Sequence, residues 1–195
     1  MSLSIAQAKE ALRQEMKRLR ATLKSKKRAV LSEKICVYLE NSAEFAQARV
    51  IAAYYPTQNE VDILPLLKKA IGAGKKVLLP RVNTSQQLEF VEVGSPTQPL
   101  TSFVEVGEYG IFEPLTSLPI SSTDQIELVL VPGLAFDRQH HRLGYDKGFY
   151  DRFLKTLPEK TDTIGVAFDF QIAKEVPHAE HDAAVKQVIT EKERI

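Results

Sequence analysis

The sequence is poor in cysteine, in long apolar runs and in net charge. Its 195 residues include a single cysteine, Cys36, which excludes an intramolecular disulfide and predicts a reducing compartment, the cytoplasm. No apolar run approaches the roughly 20 residues that span a bilayer, and the first residues lack the apolar core of a signal peptide. A formal net charge of +1 creates no overall field for nucleic acid. We therefore expect neither a membrane partner nor a nucleic-acid partner.

The common nucleotide-binding and hydrolase fingerprints are also missing. The chain has no GxxxxGK[ST] loop, no GxGxxG after a strand and no GxSxG elbow. A His-x-x-His pair, His178 and His181, has no cysteine partner, whereas closed zinc sites usually show four recognisable ligands. Exposed loop histidines are therefore the favoured interpretation of this pair, and a zinc site is the minor alternative.

Residues 4–24 have the apolar spacing of an amphipathic helix, which Ser4 is expected to cap. The other faces of this helix are basic and carry Lys9, Arg13, Lys17, Arg18, Arg20 and Lys24. Such a charge run is usually a solvated face, but one or two cations that reach a phosphate, or a nucleic-acid surface, are the alternatives. A second helix is predicted over 27–41, with Leu31, Ile35, Tyr38 and Leu39 facing inward.

Apolar runs alternate with helical segments along the rest of the chain. Strands are predicted at 50–55, 75–79, 88–93, 126–131, 163–168 and 185–190, and a helix at 61–70. The run 126–131 does not alternate with polar residues, so it is expected near the centre of the sheet. The pattern predicts an α/β protein: one Rossmann-like layered domain over 1–195, with a mainly parallel (mixed) central sheet and flanking helices. Its parts are an N-terminal helical hairpin (1–45) and an α/β body (50–195), in which 94–124 is irregular because it contains four prolines.

The stretch from Val131 to Leu154 joins a buried strand, a charged loop with glycines, and a helix whose apolar side also includes Leu157. Unpaired N–H groups at a helix start attract anions, and Arg142 and Lys147 add positive charge. Asp151, one turn into the helix, is either a metal ligand beside phosphates or a capping residue. The stretch therefore predicts a phosphate-binding loop.

The same stretch carries the letters RLGxxKGFYDR, from Arg142 to Arg152, which resemble the signature of the 5-formyltetrahydrofolate cyclo-ligase family. Other matching pieces follow in the family's order along nearly the whole chain. They are Lys9-x-x-Leu12-Arg13, Tyr54-Tyr55-Pro56 with Glu60-Val61, Gly74-Lys75-Lys76-Val77-x-x-Pro80, Gly110-Ile111-x-Glu113-Pro114, VPGLAFD at 131–137, Gln171, Pro177, His181-Asp182 and VITE at 188–191.

This resemblance implies a ligase of one-carbon metabolism that uses ATP and Mg²⁺. The family converts 5-formyltetrahydrofolate to 5,10-methenyltetrahydrofolate and releases ADP and phosphate. The formyl oxygen takes the γ-phosphoryl group, and N10 then closes the ring. The expected partners are ATP and 5-formyltetrahydrofolate, with or without a polyglutamate tail, and the expected state is a monomer.

The resemblance also implies a role for each matching residue. The ATP-binding residues would be Lys9, Arg13, Arg142, Leu143, Gly144, Tyr145, Asp146, Lys147, Gly148, Phe149 and Tyr150. The folate-binding residues would be Tyr55, Glu60, Tyr145, Lys147, Gly148 and Phe149. Arg142 and Lys147 would be catalytic, and Asp151 and Asp182 would bind Mg²⁺.

Two residues depart from the family pattern, because Asp146 and His140 stand where the family usually has glycine. A carboxylate at 146 would repel phosphate at close range, unless it is turned away or neutralised by the metal. Two further hypotheses therefore accompany the ligase. One is a non-catalytic nucleotide- and folate-binding paralogue, in which Asp146 prevents turnover. The other is a nucleic-acid-binding module that uses the first helix, although no aromatic residues are interleaved with its cations.

Overall fold

The computed structural model of the chain describes residues 4–57, 59–107, 110–145 and 147–195. The helices are α1 (Ile5–Thr22), α2 (Ser25–Glu40), α3 (Ala43–Gln47), α4 (Leu64–Gly72) and α5 (Phe149–Leu154). The strands are β1 (Val50–Ala52), β2 (Lys76–Val82), β3 (Leu88–Val93), β4 (Val104–Val106), β5 (Phe112–Pro114), β6 (Ile120–Ser121), β7 (Leu128–Pro132), β8 (Ala135–Phe136), β9 (Arg142–Leu143), β10 (Asp162–Val166) and β11 (Gln187–Ile189).

Seven of the strands form the central sheet, in the order β11-β10-β7-β1-β2-β3-β6. The pairs from β11 to β2 are parallel, and β3 and β6 add antiparallel pairs at one edge. β7 lies between β10 and β1 and is almost wholly buried, which explains its unbroken apolar sequence. The predicted α/β fold with a mainly parallel, mixed sheet is confirmed.

Helices cover both faces of this sheet. Neighbouring side chains on a strand point to opposite faces, so they enter different cores. Ile51 packs with side chains from α2, α3 and α4, such as Leu39 and Leu67. The next residue, Ala52, belongs to a second core with Phe90 and with Phe153 of α5. Among the described residues, no helix is long and apolar enough to cross a membrane.

The expected end of β2 at residue 79 was wrong, since the strand continues through Pro80 to Val82. β1 pairs with β2 only as far as Leu78. Pro80 has no N–H to donate. It lies beyond the residues of β2 that pair with β1, so no hydrogen bond to β1 requires that N–H. Pairing with β3 continues from Val77 to Val82 and carries the strand past the proline.

The predicted helices are present, with differences at their ends and on one face. Ser4 caps α1 as expected, in a reciprocal pair of hydrogen bonds with Gln7. On α2 the inward assignment of Tyr38 was wrong, because its side chain is half exposed. Cys36 faces inward instead, where its Sγ donates to the Asp62 carbonyl oxygen at 3.4 Å. The helix predicted over 61–70 begins three residues later than expected, as α4.

Two small hairpins outside the central sheet bring loops to the site. Residues 94–124 are less irregular than expected, since they contain the β4–β5 hairpin and β6. The β8–β9 hairpin follows β7 directly and packs on α1, where Met16 meets Leu134 and Leu143 in a third buried cluster. This packing holds the basic helix α1 against the segment that begins at Arg142.

Candidate active site

Two cavities meet at residues 144 and 145, next to the loops that follow β1 and β7. The large cavity has a volume of about 630 Å³, and its walls include Arg20, Tyr55, Glu60, Phe112 and Tyr145. The small cavity has a volume of about 250 Å³, and its walls include Lys9, Arg13, Arg142, Asp151 and Asp182. Of the residues predicted to bind ATP or metal, the small cavity is lined by Lys9, Arg13, Arg142, Leu143, Gly144, Gly148, Asp151 and Asp182, whereas Tyr145, Lys147, Phe149 and Tyr150 are not among its walls. Of the predicted folate residues, Tyr55, Glu60 and Tyr145 line the large cavity, and Lys147, Gly148 and Phe149 do not.

Arg142 is the most deeply buried cation of the small cavity. Its side chain is 4% exposed, and one of its Nη atoms donates to Asp151 Oδ1 at 2.8 Å. The buried Nε of Arg142 has no hydrogen-bond partner within the described residues. A Cβ on Gly144 would lie 2.7 Å from the other Nη atom, so the absence of a side chain at 144 makes room for the guanidinium. Arg142 is thus held in place with part of its donor capacity unused.

Asp182 also lines the small cavity. Its Oδ2 accepts from Lys9 Nζ at 2.6 Å and from the Ala179 N–H at 2.6 Å. Burial opposes ionisation of Asp182, but the hydrogen bonds from Lys9 and Ala179 outweigh it and lower the pKa of this carboxyl below its usual value. Asp182 is therefore a carboxylate at neutral pH, and it joins the C-terminal loop to α1.

Asp151 and Asp182 suit Mg²⁺ as a donor set. Each uses one carboxylate oxygen for the contacts above, and within the described residues the other oxygen accepts no hydrogen bond. The same part of the chain contains no group of three or more His, Cys, Asp or Glu side chains that would hold a metal. Because Mg²⁺ is usually held by one or two carboxylates together with phosphate oxygens and water, these two carboxylates would be enough for Mg²⁺ that arrives with a phosphate group.

The large cavity contains a hydrogen-bonded group of three side chains. Tyr145 Oη donates to Glu60 Oε1 at 2.8 Å, and Arg20 donates to the same hydroxyl at 2.5 Å. The Thr57 N–H donates to Glu60 Oε2 at 2.9 Å. Burial and the neighbouring Glu60 raise the pKa of Tyr145, so its hydroxyl stays protonated although 45% of the residue is exposed. Aromatic surface completes the wall, since the rings of Tyr55 and Phe112 lie 5.0 Å apart.

The peptide joining Gly144 to Tyr145 separates the two cavities. The Gly144 carbonyl oxygen accepts from Arg13 Nε at 3.1 Å on the side of the small cavity. The Tyr145 side chain contacts Glu60 and Arg20 on the side of the large cavity.

The predicted helix after the loop is shorter than expected. α5 has six residues and ends at Leu154, so Leu157 packs from the turn that follows it. Gly148 precedes the helix with a φ of 63°, a conformation that favours glycine. Arg152 on α5 donates to the carbonyl oxygens of Lys147 and Gln86, at 3.1 and 2.8 Å, and so ties the loop to the β2–β3 turn.

Residues 5–191 match the family model described as the 5-formyltetrahydrofolate cyclo-ligase family. The chain belongs to this family. A mouse 5-formyltetrahydrofolate cyclo-ligase is 28% identical over 205 residues, which cover 97% of each chain. The enzyme of the same name from Mycolicibacterium smegmatis is 33% identical over 149 residues, 75% of this chain and 76% of its own. The solution structure of Aquifex aeolicus 5,10-methenyltetrahydrofolate synthetase is 33% identical and superposes with a TM-score of 0.82, covering 95% of this chain and 91% of that one.

Membership of this ligase family confirms the resemblance read from the sequence, and the structure shows why glycine would suit one of the two positions at which the chain departs from the family pattern. His140 has a φ of 68° in the turn between β8 and β9, where its N–H donates to the Asp137 carbonyl oxygen at 3.1 Å. A glycine adopts this left-handed conformation without the steric cost that a side chain brings. The other departure, Asp146, lies outside the described residues.

The two histidines considered as a zinc pair contact different parts of the protein. The His178 ring stacks on His141, with centroids 3.6 Å apart, and its Nδ1 lies 3.0 Å from the Val176 carbonyl oxygen. The His181 side chain is 79% exposed and lies at the small cavity. Both residues are exposed, in agreement with the favoured interpretation.

Arg20, Phe112 and Arg152 are among the cavity residues to which sequence reasoning assigned no role. For Arg20 a signal was present, because it follows Arg13 and Met16 at helical spacing, and these are the three buried residues of α1. Arg152 was part of the quoted signature, but no role was assigned to it. Phe112 lies in a segment that was expected to be irregular because of its prolines, so its position in a hairpin was not predicted.

Proposed function

We propose that the protein is an ATP- and Mg²⁺-dependent 5-formyltetrahydrofolate cyclo-ligase that forms 5,10-methenyltetrahydrofolate, ADP and phosphate. The observation that carries the proposal is the junction at Gly144 and Tyr145, where a cavity rich in cations and carboxylates meets a cavity with aromatic walls and a buried glutamate. The cavity rich in cations and carboxylates suits a nucleoside triphosphate, and the cavity with aromatic walls suits a flat heterocycle that has N–H donors.

The reaction requires an oxygen of an amide-like formyl group to become a leaving group. The formyl oxygen attacks the γ-phosphorus of ATP, the bond to the β-phosphate oxygen breaks, and ADP leaves. N10 then attacks the formyl carbon and loses its proton to solvent. The carbon–oxygen bond breaks last, and phosphate departs with the bonding electrons. Phosphoryl transfer of this kind depends on positioning and charge neutralisation more than on a strong base.

Cations of the small cavity would hold the phosphates of ATP. We assign this binding to Lys9, Arg13 and the loop from Arg142 to Tyr150, with Arg142 and Lys147 as the catalytic cations. The position of Arg142 supports its role, because a guanidinium held by Asp151 in the wall of the cavity is suited to an anionic oxygen. Asp151 and Asp182 would hold Mg²⁺, which when bound neutralises charge on the phosphates.

Folate would occupy the large cavity. Tyr55 offers a ring face, and Glu60 offers acceptors to the amino group and ring N–H of the pterin. Tyr145, Lys147, Gly148 and Phe149 would lie between folate and nucleotide. We further propose that the protein works as a monomer in the cytoplasm and that a polyglutamate tail extends from the large cavity. Cys36 is no nucleophile here, since burial raises the pKa of its thiol to about 11.

The test is an assay that follows ADP and methenyl absorbance together in the presence of 5-formyltetrahydrofolate, ATP and Mg²⁺. We expect both products in equal amounts, and neither when folate, ATP or Mg²⁺ is omitted. Binding of ATP and folate by calorimetry without either product would contradict the ligase and favour the non-catalytic paralogue. In that case Asp146→Gly should restore turnover.

Two variants test the residue assignment. Lys147→Ala and Asp151→Asn should each lower kcat roughly 100-fold or more, the usual effect of removing one group that stabilises transition-state charge. Asn at 151 keeps an acceptor for Arg142, and therefore the fold should persist, as a thermal melt will check. Lys26→Ala is the control, because Lys26 is exposed on α2 and lines neither cavity. Full activity in both variants would show that the site is assigned wrongly.

A further inference from the structure

Arg20 is a buried cation at the large cavity whose role the family resemblance leaves open. It is 4% exposed, and all three of its nitrogens face polar atoms. Nε donates to the Asn59 carbonyl oxygen at 2.8 Å, and one Nη donates to the Tyr145 hydroxyl at 2.5 Å. The second Nη lies 3.9 Å from Glu60 Oε1. These contacts connect α1 with the loop after β1 and with the loop after β9.

Arg20 decides which way the Tyr145 hydroxyl points. A guanidinium can only donate, whereas a tyrosine hydroxyl has one proton and can also accept. Because Arg20 donates to this oxygen, the proton of Tyr145 is left for Glu60 Oε1, 2.8 Å away. Without Arg20 the hydroxyl would be free to rotate, and Glu60 would lose the cation that lies 3.9 Å from its Oε1.

The arrangement leaves Glu60 with acceptor capacity on both oxygens. Oε1 accepts from Tyr145 and Oε2 accepts from the Thr57 N–H. A carboxylate oxygen has about two lone-pair sites, so roughly one site per oxygen remains once the contacts with described residues are counted. Arg20 fills neither, since 3.9 Å is beyond hydrogen-bond range. Two adjacent acceptors match a ligand edge with two adjacent N–H donors, such as the amino group and ring N–H of a 2-amino-4-oxopyrimidine.

We propose that Arg20 is a positioning residue that acts through Glu60 and Tyr145. It presents the Glu60 carboxylate to the pyrimidine edge of folate and couples folate binding in the large cavity to phosphate binding in the small one. The coupling runs through one peptide, because Tyr145 follows Gly144, whose carbonyl oxygen Arg13 holds at 3.1 Å. This inference rests on the proposed function for the identity of the ligands.

The experiment measures affinities by calorimetry for 5-formyltetrahydrofolate and for a non-hydrolysable ATP analogue with Mg²⁺, each alone and with the other saturating. In the wild type, each ligand should tighten the other by the same factor, about 5-fold or more. Arg20→Met should weaken folate binding by roughly 10- to 100-fold, the usual effect of losing hydrogen bonds to a charged group. The affinity for the ATP analogue alone should change by less than about 3-fold, and the coupling factor should approach 1.

Two further variants separate positioning from a loss of folding. Tyr145→Phe removes one hydroxyl, keeps the ring, and should lose the coupling while the melting temperature stays near that of the wild type. Arg20→Lys keeps the charge without the fork of donors, and it should recover folate affinity in part but not the coupling. In turnover assays of Arg20→Lys, the KM for folate should rise and kcat should change by less than about 3-fold.

Arg18→Met is the matched control, because Arg18 is an exposed arginine on the same helix and lines neither cavity. It should leave both affinities and the coupling factor unchanged. Wild-type folate affinity and coupling in Tyr145→Phe and Arg20→Met would overturn the role of Arg20 and leave the proposed ligase intact. Failure of the wild type to bind folate would overturn both. A coupling factor of 1 in the wild type would overturn the link between the cavities.

Discussion

Replacing Gly165 with alanine should destabilise the protein, because the ring of Phe136 fills the space that a Cβ would need. Gly165 lies inside β10, and a Cβ there would stand 2.5 Å from Phe136 Cε1 and 2.9 Å from Cδ1. Phe136 is fully buried, and its ring also lies 2.7 Å from the place that a Cβ on Gly133 would take. The ring is thus packed between two glycines and has little room to retreat.

The expected loss follows from overpacking. Adding a methyl group to a well-packed core costs roughly 1–3 kcal/mol. For a chain of this size each kcal/mol lowers Tm by about 2–4 °C, so a decrease of roughly 2–12 °C is expected. Urea and thermal unfolding followed by circular dichroism will measure it. Gly72→Ala is the control: a Cβ there would have nothing within 4 Å, so this change in α4 should keep or raise stability.

A second substitution shows whether the ring is the cause. Phe136→Leu in the Gly165→Ala background should recover part of the loss, although Phe136→Leu alone destabilises the core. The nucleotide affinity of Gly165→Ala should also fall, because Phe136 pairs with Arg142 across the β8–β9 ladder and a displaced ring would move that arginine. Wild-type stability of Gly165→Ala, or a loss that Phe136→Leu leaves unchanged, would refute the reasoning.

Two further predictions concern the β8–β9 turn. His140→Gly should raise the free energy of unfolding by about 0.5–1 kcal/mol, since glycine adopts the φ of 68° without strain; a urea titration that shows a decrease would contradict this. Burial opposes the charge of Asp137, but the Val176 N–H, the His141 ring and the His141 N–H lower the pKa of its carboxyl. Its stabilisation is therefore complete above the unfolded value of about 3.9 and is lost as pH falls through the lower folded value. The Asp137→Asn variant should be less stable at neutral pH, and its free energy of unfolding should change less with pH in that acid range. Unfolding measured at several pH values will show both effects.

The fold was predictable from local patterns where one rule dominated. β3 was predicted at residues 88–93, as observed. β7 was predicted to be central because an unbroken apolar run needs cover on both faces. Errors arose where pairing with other strands decided the end of an element. Pro80 is an example, because a strand tolerates proline only where it does not pair with a neighbour on that side. The division into a helical hairpin and an α/β body stays a prediction.

The gathering of candidate residues was predictable as far as the family signature reached, and less so beyond it, while their roles stay predictions. Charge along α1 did not distinguish Arg20 from Arg18, because the two differ only in which face of the helix meets the β8–β9 hairpin. Burial made the difference: a cation on the buried stripe must have partners, whereas a cation on the open face needs only water. The helical spacing of Arg20 from Met16 and Arg13 indicated that it lies on the buried face. This signal was missed because Arg20 was treated as one of many cations in a charge run.

Helix α1 contributes residues to both cavities, between which the proposed transfer takes place. Arg13 and Arg20 are seven residues apart, about two turns, which at 1.5 Å per residue is roughly 10.5 Å along the axis. Arg13 contacts the Gly144 carbonyl oxygen, and Arg20 contacts the side chain of the next residue, Tyr145. Phosphoryl transfer needs the reacting atoms about 3–3.5 Å apart. In the proposed reaction the γ-phosphate and the formyl oxygen must therefore meet beside this peptide, between the two arginines, and any change that moves α1 along its axis alters both sides of the transfer at once.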